Sequence, residues 1–293
     1  MHRFLRAIGF SNFKNKKQLD ELVKDVITQS DTEKIAIDSE ENEFSQITHM
    51  FNKYCGITVC GEYQDDNSFY MDYFYPVFYG EGISTDEQIE IERHMENESY
   101  AGVCDEMRLG VTLIFYLQNV ADYLNHKMVY GTICQNVTTT LSALSLGGKI
   151  ILPIGKNEEQ IRNTEQNKQN RNHLIAAARD GDEDAIESLT LEDIDLYSMV
   201  TRRVENEDIF SIVESYFMPY GIDSDQYSIL GQILDMKLIQ NDLTKENMYI
   251  LRVNSNDLMF DICINKQDLF GEPEVGRRFK GNIWMQGKIN FLD

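Results

Sequence analysis

Val137-Thr138-Thr139-Thr140-Leu141-Ser142-Ala143-Leu144-Ser145-Leu146-Gly147-Gly148-Lys149-Ile150-Ile151-Leu152-Pro153-Ile154 is the stretch on which the reading of the fold turns. Apolar and β-branched residues continue on both sides of Gly147-Gly148. A Gly-Gly pair accepts the positive φ that a two-residue hairpin turn demands. The expectation is therefore a hairpin with arms Thr138–Leu146 and Lys149–Ile154, the second arm ending at Pro153. A phosphate loop does not fit, because no helix opens after the glycines and no Ser or Thr follows Lys149.

Upstream, Phe4–Phe10 reads as a short strand. After Asn15, Leu19, Leu22, Val23, Val26 and Ile27 fall at i, i+3, i+4, i+7 and i+8, one apolar helical stripe. Lys34–Asp38 reads as a strand, and Phe44–Tyr54 fits helix or strand. Residues 56–76 have β texture around a turn at Asp65-Asp66-Asn67, which predicts a hairpin. Thr85–Glu96 fits a helix or a charged strand, and Leu109–Leu117 a strand. Residues 1–155 are thus expected to form an α+β domain, mostly antiparallel sheet with a few helices on it.

Downstream, residues 155–172 carry Ile161 as their one clearly apolar side chain and read as a solvated helix or a linker. Helical texture resumes at His173 and closes at Gly181. Two short helices follow, opening at Asp182 and at Thr190-Leu191-Glu192-Asp193. Ile209–Met218 is either helix or strand. These residues, 156–221, are expected to be an acidic helical connector. From Tyr227 the chain is β again, with a helical turn at Lys266–Phe270. Three strands, a turn of helix and then one or two strands predict a small C-terminal barrel over 222–293, OB-like or SH3-like.

Composition narrows the function classes. The 293 residues carry 49 acidic and 27 basic side chains, net −22, and residues 157–225 alone hold 17 acidic against 6 basic. Such a field repels phosphate backbones and anionic membrane surfaces. Five cysteines (55, 60, 104, 134, 263) with no regular framework predict reduced thiols in a cytoplasmic protein. The start has no uninterrupted apolar run of a signal peptide. Asp180-Gly181-Asp182-Glu183-Asp184 has Ala185 and Leu191 where a calcium loop needs Gly and Glu, so acidic residues in a helix's first turn explain it. No metal site and no cofactor are expected.

Three groups of residues are candidates for function. His94, Cys104 and Asp105 lie in a stretch with Arg93 able to polarise a thiolate, against the simpler reading of a buried structural cysteine and a surface histidine. Glu90 and His94 could lie on one helical face, but no third metal ligand can be named. Tyr63, Tyr70, Tyr73, Tyr75 and Tyr79 crowd into residues 63–79 with Phe69, Phe74 and Phe78, which fits either a sheet covered on both sides or an aromatic recognition face. Arg277, Arg278 and Lys280 with Trp284 fit a stacking-capable basic patch for single strands, or a solvated strand with Trp284 in the core.

The opening Met1-His2-Arg3-Phe4-Leu5-Arg6-Ala7-Ile8-Gly9-Phe10, the stretch from Glu92-Arg93-His94 through Tyr100-Ala101-Gly102-Val103-Cys104-Asp105, Thr139-Thr140-Leu141-Ser142-Ala143-Leu144, and Gly276-Arg277-Arg278-Phe279-Lys280-Gly281 resemble a full-length family of uncharacterised proteins of unknown function from clostridial, gut-dwelling Firmicutes. The resemblance implies a bacterial, cytosolic protein and assigns no functional residue. The leading expectation is a non-catalytic cytoplasmic binding or scaffolding protein that recognises a protein partner through the Tyr/Phe-rich sheet or the barrel. The alternatives are an enzyme with a cleft around His94 and Cys104, and a single-strand nucleic-acid binder acting through the barrel.

Overall fold

The computed structural model describes residues 2–291 apart from positions 14, 39–40, 65, 67, 94–98, 107, 132–136, 156–157 and 180. The helix expected after Asn15 is α1 (Lys16–Thr28). The Asn15 side chain accepts from the Gln18 N–H, and Leu19, Leu22, Val23 and Val26 are buried, which is the inward stripe of a 3.6-residue period. Beside it runs an antiparallel sheet of β1 (Thr32–Ile37), β2 (Glu43–Met50), β3 (Cys55–Tyr63) and β4 (Phe69–Phe78), in chain order. The predicted β3–β4 hairpin is present, with Cys55 opposite Phe78.

The second sheet is larger. β5 (Ile89–Arg93), β6 (Tyr100–Glu106) and β7 (Val111–Leu117) form an antiparallel meander at its edge. Next come α2 (Val120–Tyr130), β8 (Val137–Ile151), α3 (Glu158–Arg179), α4 (Glu183–Val204) and the single turn α5 (Ile209–Ile212). The chain then adds β9 (Tyr216–Pro219), β10 (Gln226–Gln240), β11 (Asn247–Ser255), β12 (Leu258–Asn265), a 3-10 turn (Lys266–Asp268), β13 (Leu269–Phe270) and β14 (Arg278–Phe291).

The expected turn at Gly147-Gly148 does not exist. β8 is one continuous strand of 15 residues, and neither glycine has a positive φ. Gly148 pairs with Gly281 of β14. A Cβ on Gly148 would come within 2.3 Å of the Phe279 ring, and one on Gly281 within 2.7 Å. The glycines make room for that fully buried ring rather than reversing the chain.

The long β8 also corrects the domain layout. It pairs with β12 in parallel and with β14 in antiparallel register. The pairings β8–β12, β12–β11, β11–β10, β10–β14 and β14–β8 therefore close on themselves. Residues 222–293 do not complete this circuit alone, because one of its strands comes from before the helices. The boundaries expected at 155 and 222 are crossed by main-chain hydrogen bonds of one sheet, and β7 joins the same sheet by pairing with β14.

Other differences are local. Phe4–Phe10 is a 3-10 segment (Arg3–Ile8) stopped by Gly9 at φ 92°, with Phe4, Leu5, Ala7 and Ile8 buried against β8 and β12. Of the two readings of 155–172, the helix is the one present, as the start of α3, and the two short helices are the unbroken α4, opened by Asp182 accepting from the Asp184 and Ala185 N–H groups. Ile209–Met218 holds both the turn α5 and the start of β9.

The two sheets meet over a buried polar junction. Gln118 Nε2 donates to the Phe78 carbonyl (2.7 Å) and to Gln286 Oε1 (3.0 Å). Gln286 Nε2 donates to the Pro76 carbonyl (2.8 Å), and Ser142 Oγ to the Phe78 carbonyl (2.6 Å). β4 stops at Phe78, so these side chains satisfy main-chain groups that no further strand reaches.

Candidate functional site

The catalytic candidates separate. His94 lies outside the described residues. Cys104, on β6, is 1% exposed, and burial, with Glu106, Glu87 and Asp105 adding negative charge, pushes its thiol up to about 12. A nucleophilic cysteine needs the reverse setting, a positive and partly open one. The nearby Arg108 is committed elsewhere: it grips Glu106 through Nε and Nη2, both at 2.6 Å, and donates to the Ser84 and Asp257 carbonyls. Asp105 accepts from the Thr112 hydroxyl at 2.9 Å. Cys104 is a core residue, and this pair pins the β6–β7 end to the β11–β12 turn.

The aromatic run divides along β4. Tyr75 is 1% exposed, and its hydroxyl donates to the Gln118 carbonyl at 2.9 Å. Its ring continues into Tyr116 (4.7 Å between centroids) and from there into Trp284 (5.3 Å). Tyr73 and Tyr79 are half-buried, and desolvation raises both phenols. Tyr63 and Tyr70 stay exposed at the free end of the hairpin, where the Tyr63 hydroxyl donates to Glu33 at 2.8 Å. The five tyrosines thus form a buried band with an exposed tip, and not one continuous recognition face. Covered sheet is the better description of most of the strand.

The basic trio does not form a patch either. Arg278 is 5% exposed. It donates to the carbonyls of Leu152 (3.0 and 2.8 Å), Val213 (2.8 Å) and Phe210 (2.6 Å). Arg277 pairs with Glu274 at 2.8 Å, while the Lys280 ammonium rests 4.4 Å from the Phe210 ring centroid. Trp284 is in the core as the alternative had it, 5% exposed with Nε1 donating to Asp225 at 2.6 Å. The Arg277 and Arg278 charge that looked available for phosphates holds a carboxylate and loop carbonyls instead, while Lys280 rests on a ring face and keeps no ion pair among the described residues.

What the sequence reading missed is the helical hairpin. α3 packs along α4, and α4 reaches α5, but among the described residues neither long helix makes a substantial contact with either sheet. Ala185 is the one buried residue among the described side chains of α4. Ile186, Leu191, Ile194, Tyr197 and Val204 are all more than 40% exposed, Tyr197 at 74%. At 100° per residue these five fall in one arc of roughly 140°. Asp184 and Asp195 lie just beyond one edge of this arc, and Glu183 and Glu187 fall within it. The capping-box pattern at Thr190 divides this stripe in the sequence; in the unbroken helix the 8-residue step from Ile186 to Ile194 carries it through.

Among the described residues no group of three or more His, Cys, Asp or Glu side chains is placed to hold a metal ion. No described helix is long and apolar enough to cross a membrane. The profile of a family described as "Domain of unknown function, E. rectale Gene description (DUF3881)" matches residues 5–287. The chain belongs to this family. No curated protein and no solved structure matches it. The family description names no activity, so function is argued from the surfaces of this chain.

Proposed function

We propose that this chain is a non-catalytic cytoplasmic binding protein whose α3–α4 hairpin presents α4 to a protein partner, a basic amphipathic helical segment. The observation that carries the reading is the exposed apolar arc of α4. A helix that stands clear of the sheets and leaves such an arc in water loses stability it would recover in a groove or against another helix. The occupant follows from charge. Residues 157–225 hold 17 acidic and 6 basic side chains, so a second copy would bring like charges together, whereas Lys- and Arg-flanked apolar residues would be steered in.

The closed strand circuit supports an OB-like reading of the body, in which β10, β11 and β12 are the meander and β8 stands as the last strand, supplied from earlier in the chain. The face that binds oligonucleotides in such barrels corresponds to β11 and β12. Here Cys55 of β3 sits 3.6 Å from Cys263 of β12, and the Ala7 carbonyl accepts from the same thiol. That cover speaks against the single-strand reading. The four described cysteines are all buried free thiols, in keeping with a reducing compartment.

The test is a photo-crosslinking residue at position 197, expressed in the full chain in its native bacterium. The expected product is a crosslink to a protein segment with Lys or Arg beside apolar residues at helical spacing, lost when Ile194→Glu is added. A crosslink to a second copy, to an acidic segment, or one indifferent to Ile194→Glu overturns the reading.

A further inference from the structure

The paired strands β8 and β14 contain no acidic residue and carry Lys149, Arg278, Lys280 and Lys288, within a chain of net charge −22. At their outer ends Lys149 and Lys280 are directly opposite one another. Like charges at one antiparallel register position repel, and neither lysine has an ion-pair partner among the described residues. On its other side Lys149 is in register with Phe270 of β13. Residues in register share a face, so Phe270, Lys149 and Lys280 form a row across three strands. Phe270 is 76% exposed.

Next to this row the strand face is hollow. Gly147 lies on the same side as Lys149, and Asn282 occupies the irregularity between Gly281 and Ile283 across from it. The Ser145 hydroxyl donates to the Gly147 and Asn282 carbonyls (3.1 and 2.9 Å) and holds that irregularity. The result is an open cleft of about 540 Å³ lined by Gly147, Lys149, Lys280, Asn282, Phe270 and Asp268. Asp268 adds no free charge, because Arg6 holds its carboxylate through Nε (2.6 Å) and Nη2 (2.7 Å).

Gly147 is the telling residue. Gly148 and Gly281 are glycines because the Phe279 ring fills the space of their side chains. A Cβ on Gly147 would meet only the Asp268 carbonyl at 4.0 Å, and its φ is ordinary. Neither packing nor backbone conformation calls for glycine there, and glycine weakens a strand. A strand glycine marks a bulge, such as the irregularity Gly147 faces, or a place where something outside the chain comes close, and the open space above Gly147 leaves room for the second.

We propose that this cleft binds a small phosphate-bearing ligand with a planar ring, the chemistry of a mononucleotide. The phosphate sits between the Lys149 and Lys280 ammonium groups over Gly147, and the ring lies on Phe270. Two ammonium groups without an arginine fork suit a phosphate better than a planar carboxylate. The cleft volume is that of a small-molecule site, and the surrounding negative field disfavours a polyanion. This site is separate from α4 and stands or falls independently of the partner proposed for it.

The experiment is a titration of the full chain with adenosine 5′-monophosphate, inorganic phosphate and adenosine, followed by calorimetry and amide NMR. The monophosphate is expected to bind more tightly than either fragment, with shifts at Gly147, Lys149, Phe270 and Lys280. The pair Lys149→Ala/Lys280→Ala should weaken it at least about tenfold. Phe270→Ala should reduce it to the level of inorganic phosphate. Gly147→Val, a β-favouring residue placed in open space, should abolish both while leaving the circular dichroism unchanged and the melting temperature no lower than the parent's. Absence of binding, binding indifferent to Gly147→Val and to the lysine pair, or tighter binding of a single-stranded oligonucleotide than of the monophosphate each overturns the proposal.

Discussion

Gly147 and Gly148 are neighbours in sequence and should respond oppositely to a methyl group. In Gly148→Ala the new Cβ lies 2.3 Å from Cε2 and 2.7 Å from Cζ of Phe279. Carbon atoms in contact rest near ~3.5–4 Å, so the ring must retreat by more than about 1 Å. Phe279 is fully buried, so its retreat displaces packed neighbours, an overpacking cost of about 1–3 kcal/mol. In Gly147→Ala the Cβ enters open space at 4.0 Å from the Asp268 carbonyl. Restricting the unfolded chain there should add about 0.4–1 kcal/mol. Urea unfolding of both variants beside the parent, read by far-UV circular dichroism, gives the two shifts at constant m. A hairpin turn with positive φ at both positions would make both variants lose stability together. Parallel losses, or a harmless Gly148→Ala, would refute the continuous strand and with it the closed circuit of pairings.

Arg278→Ala removes donors to three carbonyls and should cost about 2–4 kcal/mol; limited proteolysis should then cut faster near residues 152 and 213, and Arg278→Lys should restore only part of the loss. Gln286→Leu strands the Pro76 carbonyl and the Phe78 N–H inside the sheet junction and takes one acceptor from the Gln118 amide, and should lower stability by about 2–4 kcal/mol in urea unfolding. Cys104 should resist iodoacetamide in the folded chain near pH 8 and react once urea unfolds it; equal rates in the two states would count against its burial. The Cys60 and Cys104 thiols are held up to about 12 from an ordinary 9.0, so the folded chain keeps protons that the unfolded chain releases. Their stabilisation is complete below pH 9 and declines as pH rises towards 12, so the urea midpoint should fall between pH 7.5 and 10.5, and a rising midpoint contradicts the assignment.

The parts legible in the sequence are those whose signal is local. Leu19, Leu22, Val23 and Val26 declared α1 by spacing, and the aromatic run from Phe69 declared a strand with a partner across a polar turn. The errors arose where distant residues decide. Gly147-Gly148 has the composition of a turn because a strand that yields space to Phe279, 131 positions after Gly148, uses the same residue as a chain reversal. Phe4–Phe10 alternates well enough for a strand, but Gly9 in a left-handed conformation and burial against β8 and β12 make it a 3-10 segment. Arg278 read as free charge because the carbonyls that claim it belong to segments more than 60 positions earlier, and the ring beside Lys280 comes from the same stretch. The Gly147 cleft had no signature in the sequence, since its row of residues comes from three strands that only the closed circuit brings side by side.

The position of β8 in that circuit sets a timetable for folding. Its partners β12 and β14 are made after α3, α4 and the meander, and the last residue of β14 follows the last of β8 by 140 positions. At roughly 5–20 residues per second on the ribosome, β8 waits on the order of 7–28 seconds with both edges open. During that interval its Leu141-Ser142-Ala143-Leu144 segment is an apolar strand without a neighbour, open to pairing with other nascent chains. The body of the molecule locks late, when β14 slides between β8 and β10, while α3 and α4 can form on their own schedule. A stalled ribosome or a truncation before β14 leaves a chain with finished helices and an unsealed sheet.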